Sequence, residues 1–169
     1  MKCKYVLAIF MAGISSMAVA DPYGGLAIGK VDHDLDGFSK PTGFELYLGN
    51  QFNKNVAAEI SYVDFGDASD NIAPVWTVSA SSIGVATKII APMSDTASLY
   101  ARVGVHAWDA QLDEAGWGTL VKDSGTDLLF GFGGQFSLNE NVTFGVRYTT
   151  YKLDDEDTSI FGVDIGTKF

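Results

Sequence analysis

Apolar residues alternate with small or charged residues through the last part of this chain, from Thr158 to Phe169. Successive side chains of a β-strand face opposite sides, so the apolar residues share one face. Asp164 and its glycine neighbours share the other face. Such a strand can lie between lipid and a narrow interior, or it can be half-buried in a soluble sheet. The rest of the chain decides between these two possibilities.

The same alternation recurs in seven earlier segments, which turn-forming residues separate. The eight predicted strands are Tyr23–Val31, Gly43–Phe52, Val56–Phe65, Val75–Ile90, Ala97–Trp108, Thr126–Ser137, Val142–Lys152 and Thr158–Phe169. Hydrophobic residues make up 47% of the chain, yet no apolar run after Ala20 is long enough for a transmembrane helix. Hydrophobicity confined to every second position is typical of membrane barrels. The predicted fold class is all-β, a closed antiparallel eight-stranded transmembrane up-and-down β-barrel.

The predicted connections differ in length according to the end of the barrel on which they lie. Three are tight turns, at 53–55, 92–95 and 138–141, and four are longer acidic loops, at 32–41, 66–74, 109–123 and 153–157. Outer-membrane barrels have short periplasmic turns and longer external loops. Both termini are therefore expected on the periplasmic side.

The first twenty residues have the features of an export signal. Lys2 and Lys4 precede an apolar stretch, which leads to small residues at Ala18–Ala20. We expect a cleaved signal peptide at 1–20 and a barrel domain at 21–169. The net charge of the whole chain is −10, which argues against nucleic acid as a partner.

Charged residues fall on the inward face of several predicted strands, where an eight-stranded barrel is filled by side chains. Buried charges need partners, and acids and bases are nearly balanced here. Glu59 and Lys88 lie at matching depth on neighbouring strands, so we predict that they pair, near Gln135. The predicted interior charge network comprises Glu45, Glu59, Lys88, Arg102, Gln135, Arg147 and Asp164.

The chain resembles the small outer membrane protein A (OmpA)-like barrels. The resemblance is carried by the strand-turn-strand element Gly43–Tyr62, by Lys88 before Pro92, by Leu99–Gly104 with Trp108, and by the terminal Phe169. It implies a location in the outer membrane of a Gram-negative bacterium, contact with outer-membrane lipids and lipopolysaccharide, and a salt-bridge cluster that includes Glu59 and Lys88. It also implies that Phe169 belongs to the signal read by the outer-membrane assembly machinery.

The chain departs from the best-known member of that family at two interior positions. Gln135 stands where that member has an acid, and Gly145 stands where it has an arginine, whereas Arg147 lies one inward step along. A gating mechanism therefore does not carry over intact. The family's periplasmic peptidoglycan-binding domain is not expected.

The first long loop contains three alternating aspartates, Asp32, Asp34 and Asp36, before a glycine, as at the start of a calcium-binding loop. The glutamate that would complete such a loop is missing, and a solvated acidic turn is the simpler interpretation. Acids at 154–157 lie in the last loop, which neighbours the first in a closed barrel. A weak divalent-cation site such as calcium is the hypothesis for this pair of loops. No other cofactor is expected.

The sequence favours a monomeric, non-catalytic barrel with a structural or surface-interaction role such as adhesion or envelope integrity. Its external loops would meet an extracellular ligand. The alternative is a narrow, porin-like pore for ions or small solutes. A lipid-modifying enzyme is disfavoured because His33 and His106, the two histidines, have no matching serine and acid partners.

Overall fold

The computed structural model describes residues 21–33, 37–70, 75–154 and 156–169. The eight strands are β1 (Asp21–His33), β2 (Thr42–Asn53), β3 (Val56–Ser69), β4 (Trp76–Pro92), β5 (Ala97–Glu114), β6 (Gly118–Ser137), β7 (Val142–Leu153) and β8 (Glu156–Lys168). Each strand pairs antiparallel with the next, and β8 pairs with β1. The predicted closed eight-stranded barrel is confirmed. Within these residues, no helix is long and apolar enough to cross a membrane.

The two faces of each strand follow the alternation of the sequence. On β2, Phe44, Leu46 and Leu48 are 36%, 50% and 59% exposed, whereas Glu45 and Tyr47 between them are each 3% exposed. The apolar side chains thus point outward and the charged ones point inward, which is the reverse of a soluble protein. Such a surface suits hydrocarbon, in which every backbone hydrogen bond must be made inside the barrel.

Tight turns join β2 to β3, β4 to β5 and β6 to β7 at one end of the barrel, which we call the short-turn end. Asparagine side chains fix two of these turns. Asn53 Oδ1 accepts from the backbone N–H of Asn55 at 2.8 Å, and Asn139 Oδ1 accepts from the N–H of Val142 at 2.8 Å. Asparagine favours turns because its side chain can bond the backbone two or three residues on. We call the opposite end the long-loop end.

The predicted long loop at 109–123 is wrong. β5 runs to Glu114 and β6 begins at Gly118, so only a short turn remains, in which Gly116 has a φ of 90°. β3 likewise runs to Ser69, across an irregularity at Gly66, where φ is 73°. Sequence periodicity misses these extensions because their residues are largely exposed or half-buried, so burial imposes no alternation there. Backbone pairing with neighbouring strands forms them instead.

Two apolar layers fill the barrel interior near its ends. The outer apolar layer, towards the long-loop end, consists of Val31, Val63, Phe65, Leu129, Tyr151 and Ile160. The inner apolar layer, towards the short-turn end, consists of Ala57, Ile90 and Tyr100, with Tyr23 packed against it. Charged side chains occupy the space between the two layers.

The outward face of β2 gives a direct test of the membrane face. We expect Leu48→Arg to lower the free energy of unfolding in lipid vesicles by about 2 to 4 kcal/mol, because it places a cation in hydrocarbon. Urea titration followed by tryptophan fluorescence measures this change. Leu120→Arg is the matched control, since Leu120 is also half exposed, at 46%, but lies on the extended part of β6. Equal losses for the two variants would contradict the assignment.

Candidate functional site

Six charged side chains meet between the two apolar layers, and each is between 1% and 3% exposed. We call them the interior cluster. Its members are Glu45 on β2, Glu59 on β3, Lys88 on β4, Arg102 on β5, Arg147 on β7 and Asp164 on β8. Three carboxylates face three cations, so the cluster is neutral overall. Neutrality and multiple contacts are what charges removed from water require.

Glu45 lies at the centre of the interior cluster. Arg102 approaches it with both terminal nitrogens, with Nη1 2.7 Å from Oε1 and Nη2 3.1 Å from Oε2. Arg147 Nη1 donates to Oε2 at 3.0 Å. The paired arrangement of Arg102 and Glu45 is the stronger of these contacts, because two parallel charge-assisted bonds fix both groups.

The remaining ion pairs extend the cluster in two directions. Glu59 Oε1 accepts from Lys88 Nζ at 3.2 Å, and its Oε2 accepts from Arg102 Nη1 at 3.4 Å. In the other direction, Arg147 Nη2 lies 3.3 Å from Asp164 Oδ1. The six groups therefore form one continuous series of alternating charge, in the order Lys88, Glu59, Arg102, Glu45, Arg147 and Asp164.

Tyrosine hydroxyls that the sequence analysis did not assign to the site also belong to this cluster. Tyr23 donates to Glu59 Oε1 at 2.8 Å, Tyr47 donates to Asp164 Oδ1 at 3.0 Å, and Tyr151 accepts from Arg102 Nη2 at 2.8 Å. The sequence could have placed these tyrosines inside the barrel, because each lies an even number of residues from an inward residue of its own strand. Tyr47, for example, follows Glu45 by two residues.

Gln135 does not join the interior cluster. Among the described residues, it makes no hydrogen bond to a member, and it lines a cavity of about 220 Å³ at the short-turn end together with Lys88. The predicted pairing of Lys88 with Glu59 is present, but Gln135 contributes no contact to it.

Glycine at position 145 makes room for the cluster. A Cβ atom there would overlap the Oδ2 atom of Asp164, which is the register partner of Gly145. Arg147, at the next inward position of β7, reaches Asp164 and Glu45 instead. Glycine at 145 thus leaves room for the Asp164 carboxylate that Arg147 contacts.

Of the three predicted metal ligands, Asp32 alone lies among the described residues, so the calcium site stays a prediction. Asp32 pairs with Lys40 at 2.8 Å, and hydrogen bonding to this lysine lowers the pKa of the Asp32 carboxyl. Asp157, predicted in the last loop, lies in β8 and pairs with Lys152 of β7 at 2.9 Å. Asp34 and Asp36 lie outside the described residues, and the part of the chain that the structure describes holds no group of three metal-ligating side chains.

Both histidines bond to backbone carbonyls. His106, which is buried, donates from Nε2 to the carbonyl of Lys152 at 2.9 Å, and its ring packs against Tyr151 at 5.2 Å between centroids. His33 donates from Nε2 to the carbonyl of Ser39 at 3.0 Å. His106 thus contributes to the packing around Tyr151, and His33 ties the end of β1 to the segment that contains Ser39.

Phe169 follows the last strand and is 70% exposed. Its backbone N–H donates to the carbonyl of Pro22 at 3.2 Å, and the N–H of Lys168 donates to the carbonyl of Asn141 at 2.8 Å. The terminus is therefore held at the seam where β8 meets β1. A role of Phe169 in assembly stays a prediction.

A second candidate site is a sheet that extends past the closed barrel at the long-loop end. We call it the outer sheet, and it is formed by the ends of β3, β4, β5 and β6. β6 is 20 residues long and pairs with β5 from Gly118 onward, but it pairs with β7 only from Leu129 onward. Among the described residues, no strand pairs with the other side of 118–128. We call this segment the free edge.

The free edge is rich in exposed apolar and β-forming residues. Leu120 and Val121 are 46% and 55% exposed, and Trp117 in the adjoining turn is 83% exposed. Unpaired strand edges present rows of N–H and C=O groups, which can pair with another chain. The free edge itself contains Asp123, and Asp109 and Asp113 lie on the paired outer part of β5.

Comparison with known proteins identifies the family of the chain. A family model described as the outer membrane protein beta-barrel domain matches residues 5–169. No curated protein matches significantly.

Solved structures share the fold at low identity. The complex of Ail, the attachment invasion locus protein of Yersinia pestis, with the heparin analogue sucrose octasulfate is 22% identical, covering 89% of this chain and 97% of that one, with a TM-score of 0.60. Neisserial surface protein A is 16% identical, with the same coverage and a TM-score of 0.62. The N-terminal barrel of Pseudomonas aeruginosa OprF is 11% identical, again with 89% and 97% coverage, and has a TM-score of 0.65. At such identities, the likeness concerns the fold alone.

The interior cluster can be tested through its central carboxylate. We expect Glu45→Gln to lower the free energy of unfolding by about 3 to 5 kcal/mol, since two buried guanidinium groups lose their shared partner. Gln135→Ala is the control from the same interior, and we expect it to cost about 1 kcal/mol or less. Urea titration measures both, and heat-dependent gel mobility verifies that each variant has folded. Similar losses for the two variants would show that the cluster does not stabilise the barrel.

Proposed function

Because this chain belongs to the outer membrane protein beta-barrel domain family, as an OmpA-like barrel of the Gram-negative outer membrane, we propose that it is a non-catalytic surface-interaction protein. It holds a rigid, closed barrel in the membrane and displays the free edge of β6 outside the cell. The partner is an extended polypeptide segment that adds a strand to the outer sheet. The free edge is the observation that carries this proposal.

The length of the long strands supports display of the free edge in water. A membrane-spanning strand needs about 9 to 11 residues, whereas β5 has 18 and β6 has 20. The excess lies at the long-loop end, which corresponds to the external side in outer-membrane barrels. Water can satisfy an unpaired edge there, and lipid cannot. An added strand would replace that water with backbone hydrogen bonds, and exposed side chains would set specificity.

Charge indicates the composition of the partner segment. Carboxylates outnumber Lys122, the one cation on the outer parts of β5 and β6 from 109 to 128. A segment with lysine or arginine is therefore favoured over an acidic one. The heparin analogue bound by Ail is a polysulfate, and the same surface charge disfavours such a ligand here.

The interior favours a closed barrel over the alternative of a narrow pore. A permeating ion would have to pass the outer apolar layer, the interior cluster and the inner apolar layer in turn. Each cluster member would need a new partner before the series could open. Outer-membrane lipids and lipopolysaccharide then meet only the outward apolar face, and the assembly machinery meets the terminal strand.

Conductance provides the first test. In planar lipid bilayers we expect no steady open state of the folded protein, because the interior cluster and the two apolar layers fill the lumen. A trimeric porin, inserted under the same conditions, is the positive control. A persistent current that scales with the number of inserted barrels would favour the pore and overturn the closed-barrel part of the proposal.

Strand addition provides the second test, in which the probe is a synthetic peptide of alternating valine and lysine. We expect this peptide to bind the protein in nanodiscs, as measured by fluorescence anisotropy. The same peptide with N-methylated amides on one edge is the matched control. Because it keeps charge and side chains but cannot form the ladder, we expect about tenfold weaker binding.

A shortened hairpin locates the binding. Gln111 and Lys122 are register partners on β5 and β6. An Asn-Gly turn can therefore replace residues 112–121 without changing the pairing of β5 with β6 in the rest of the barrel. We expect this variant to lose most of the peptide affinity while retaining heat-dependent mobility. Undiminished binding, or equal binding of the N-methylated peptide, would contradict pairing at the free edge.

A further inference from the structure

A cavity of about 350 Å³ opens at the long-loop end of the barrel, inside the strand wall, and Asp123 is the one described residue of the free edge that lines it. We call it the outer cavity. Its walls are mostly apolar and include Phe65, Val78, Ala80 and Trp108. Below it lies the outer apolar layer, to which Val31 and Phe65 belong. The cavity is therefore open at the long-loop end and closed at its inner end, and it does not continue into a channel.

Trp108 presents an apolar surface to the outer cavity. The residue is 5% exposed, and its indole N–H donates to Asp127 Oδ2 at 2.8 Å. The single polar group of the ring is thus satisfied away from any ligand. The ring itself can serve as an apolar and cation-attracting wall.

Among the described residues, carboxylates and one histidine are the titratable groups that line the outer cavity. Asp123, Asp154 and Glu156 line it near the mouth, and among the described residues none of the three has an ion-pair partner. No lysine or arginine is among the described lining residues. His33 also lines the cavity, and its Nε2–H is bound to the carbonyl of Ser39. The mouth is accordingly acidic, whereas the interior of the cavity is apolar.

We propose that the outer cavity binds a small amphiphilic organic cation, such as an aryl or alkyl ammonium compound. The apolar group enters first and packs against Trp108 and Phe65, and the cation remains at the carboxylates of the mouth. An inorganic cation would leave the apolar walls in contact with water. A neutral apolar molecule would make no electrostatic contact with the carboxylates. An anion is repelled. Apolar walls with a few charged groups are the usual construction of a small-molecule site.

The experiment uses Trp108 as the reporter. The chain has three tryptophans, so Trp76→Phe with Trp117→Phe leaves Trp108 alone. N-benzylpyridinium, a cation that quenches indole fluorescence, is titrated into this protein in zwitterionic phosphatidylcholine nanodiscs at pH 8. We expect saturable quenching. 3-Benzylpyridine, which has nearly the same shape and is neutral at pH 8, is expected to bind about tenfold more weakly.

Two pairs of variants separate the cavity from general surface charge. Asp154→Asn with Glu156→Gln removes two carboxylates of the mouth, and we expect about tenfold weaker binding. Asp109→Asn with Asp113→Asn removes the same charge from the outer part of β5 without altering the cavity lining, and we expect less than about twofold change. Equal weakening by the two pairs would overturn the proposal in favour of general electrostatic attraction.

A filling variant tests the apolar part of the site. Ala80→Leu places additional carbon in the cavity without changing charge, and we expect it to abolish saturable quenching. Heat-dependent mobility confirms that the variant has folded. Quenching that rises linearly with probe, equal binding of the neutral analogue, or unchanged binding by Ala80→Leu would each overturn the proposal. These outcomes are independent of peptide binding at the free edge.

Discussion

The hydrogen-bonding demand of the backbone in lipid is the constraint on which this structure depends. A strand that crosses hydrocarbon must have both edges paired, because lipid offers no donor or acceptor. The pairing of β1 with β8, from Tyr23 with Lys168 to His33 with Thr158, meets this demand by closing the sheet. Closure of only eight strands then fixes a narrow interior, which side chains must fill.

The interior cluster fills the middle of that narrow interior. Isolated charges would be costly there, but Glu45 serves two guanidinium groups, and every other member has at least one opposite charge within 3.4 Å. Removing one member would leave a buried charge without its partner, so a substitution at any one position destabilises the whole cluster. The apolar layers on both sides lower the local dielectric constant and so strengthen the electrostatic contacts of the cluster.

Outside the hydrocarbon a strand edge need not be paired, and the outer sheet has such an edge. β6 continues beyond its last pair with β7, and we propose that the part without a described partner strand lies in water rather than in lipid. The outer cavity forms at the same end, above the outer apolar layer. The closed barrel is thus the part that spans the membrane, and the proposed partner surfaces lie at the long-loop end, where water can satisfy an open edge.

The sequence by itself determined the strand count, the closure and the inward face, because a two-residue period leaves each side chain only two directions. It therefore placed Glu45, Arg102 and Asp164 inside before any contact was known. Only the tertiary structure decided that Arg102 on β5 reaches across to Glu45 on β2, that Tyr47 and Tyr151 join them, and that Gln135 does not. It also decided that 109–123 is mostly strand. Contacts across the lumen depend on the diameter of the closed barrel, and exposed strands depend on pairing with neighbouring backbone. Neither produces a two-residue alternation in the sequence, so neither could be predicted from it.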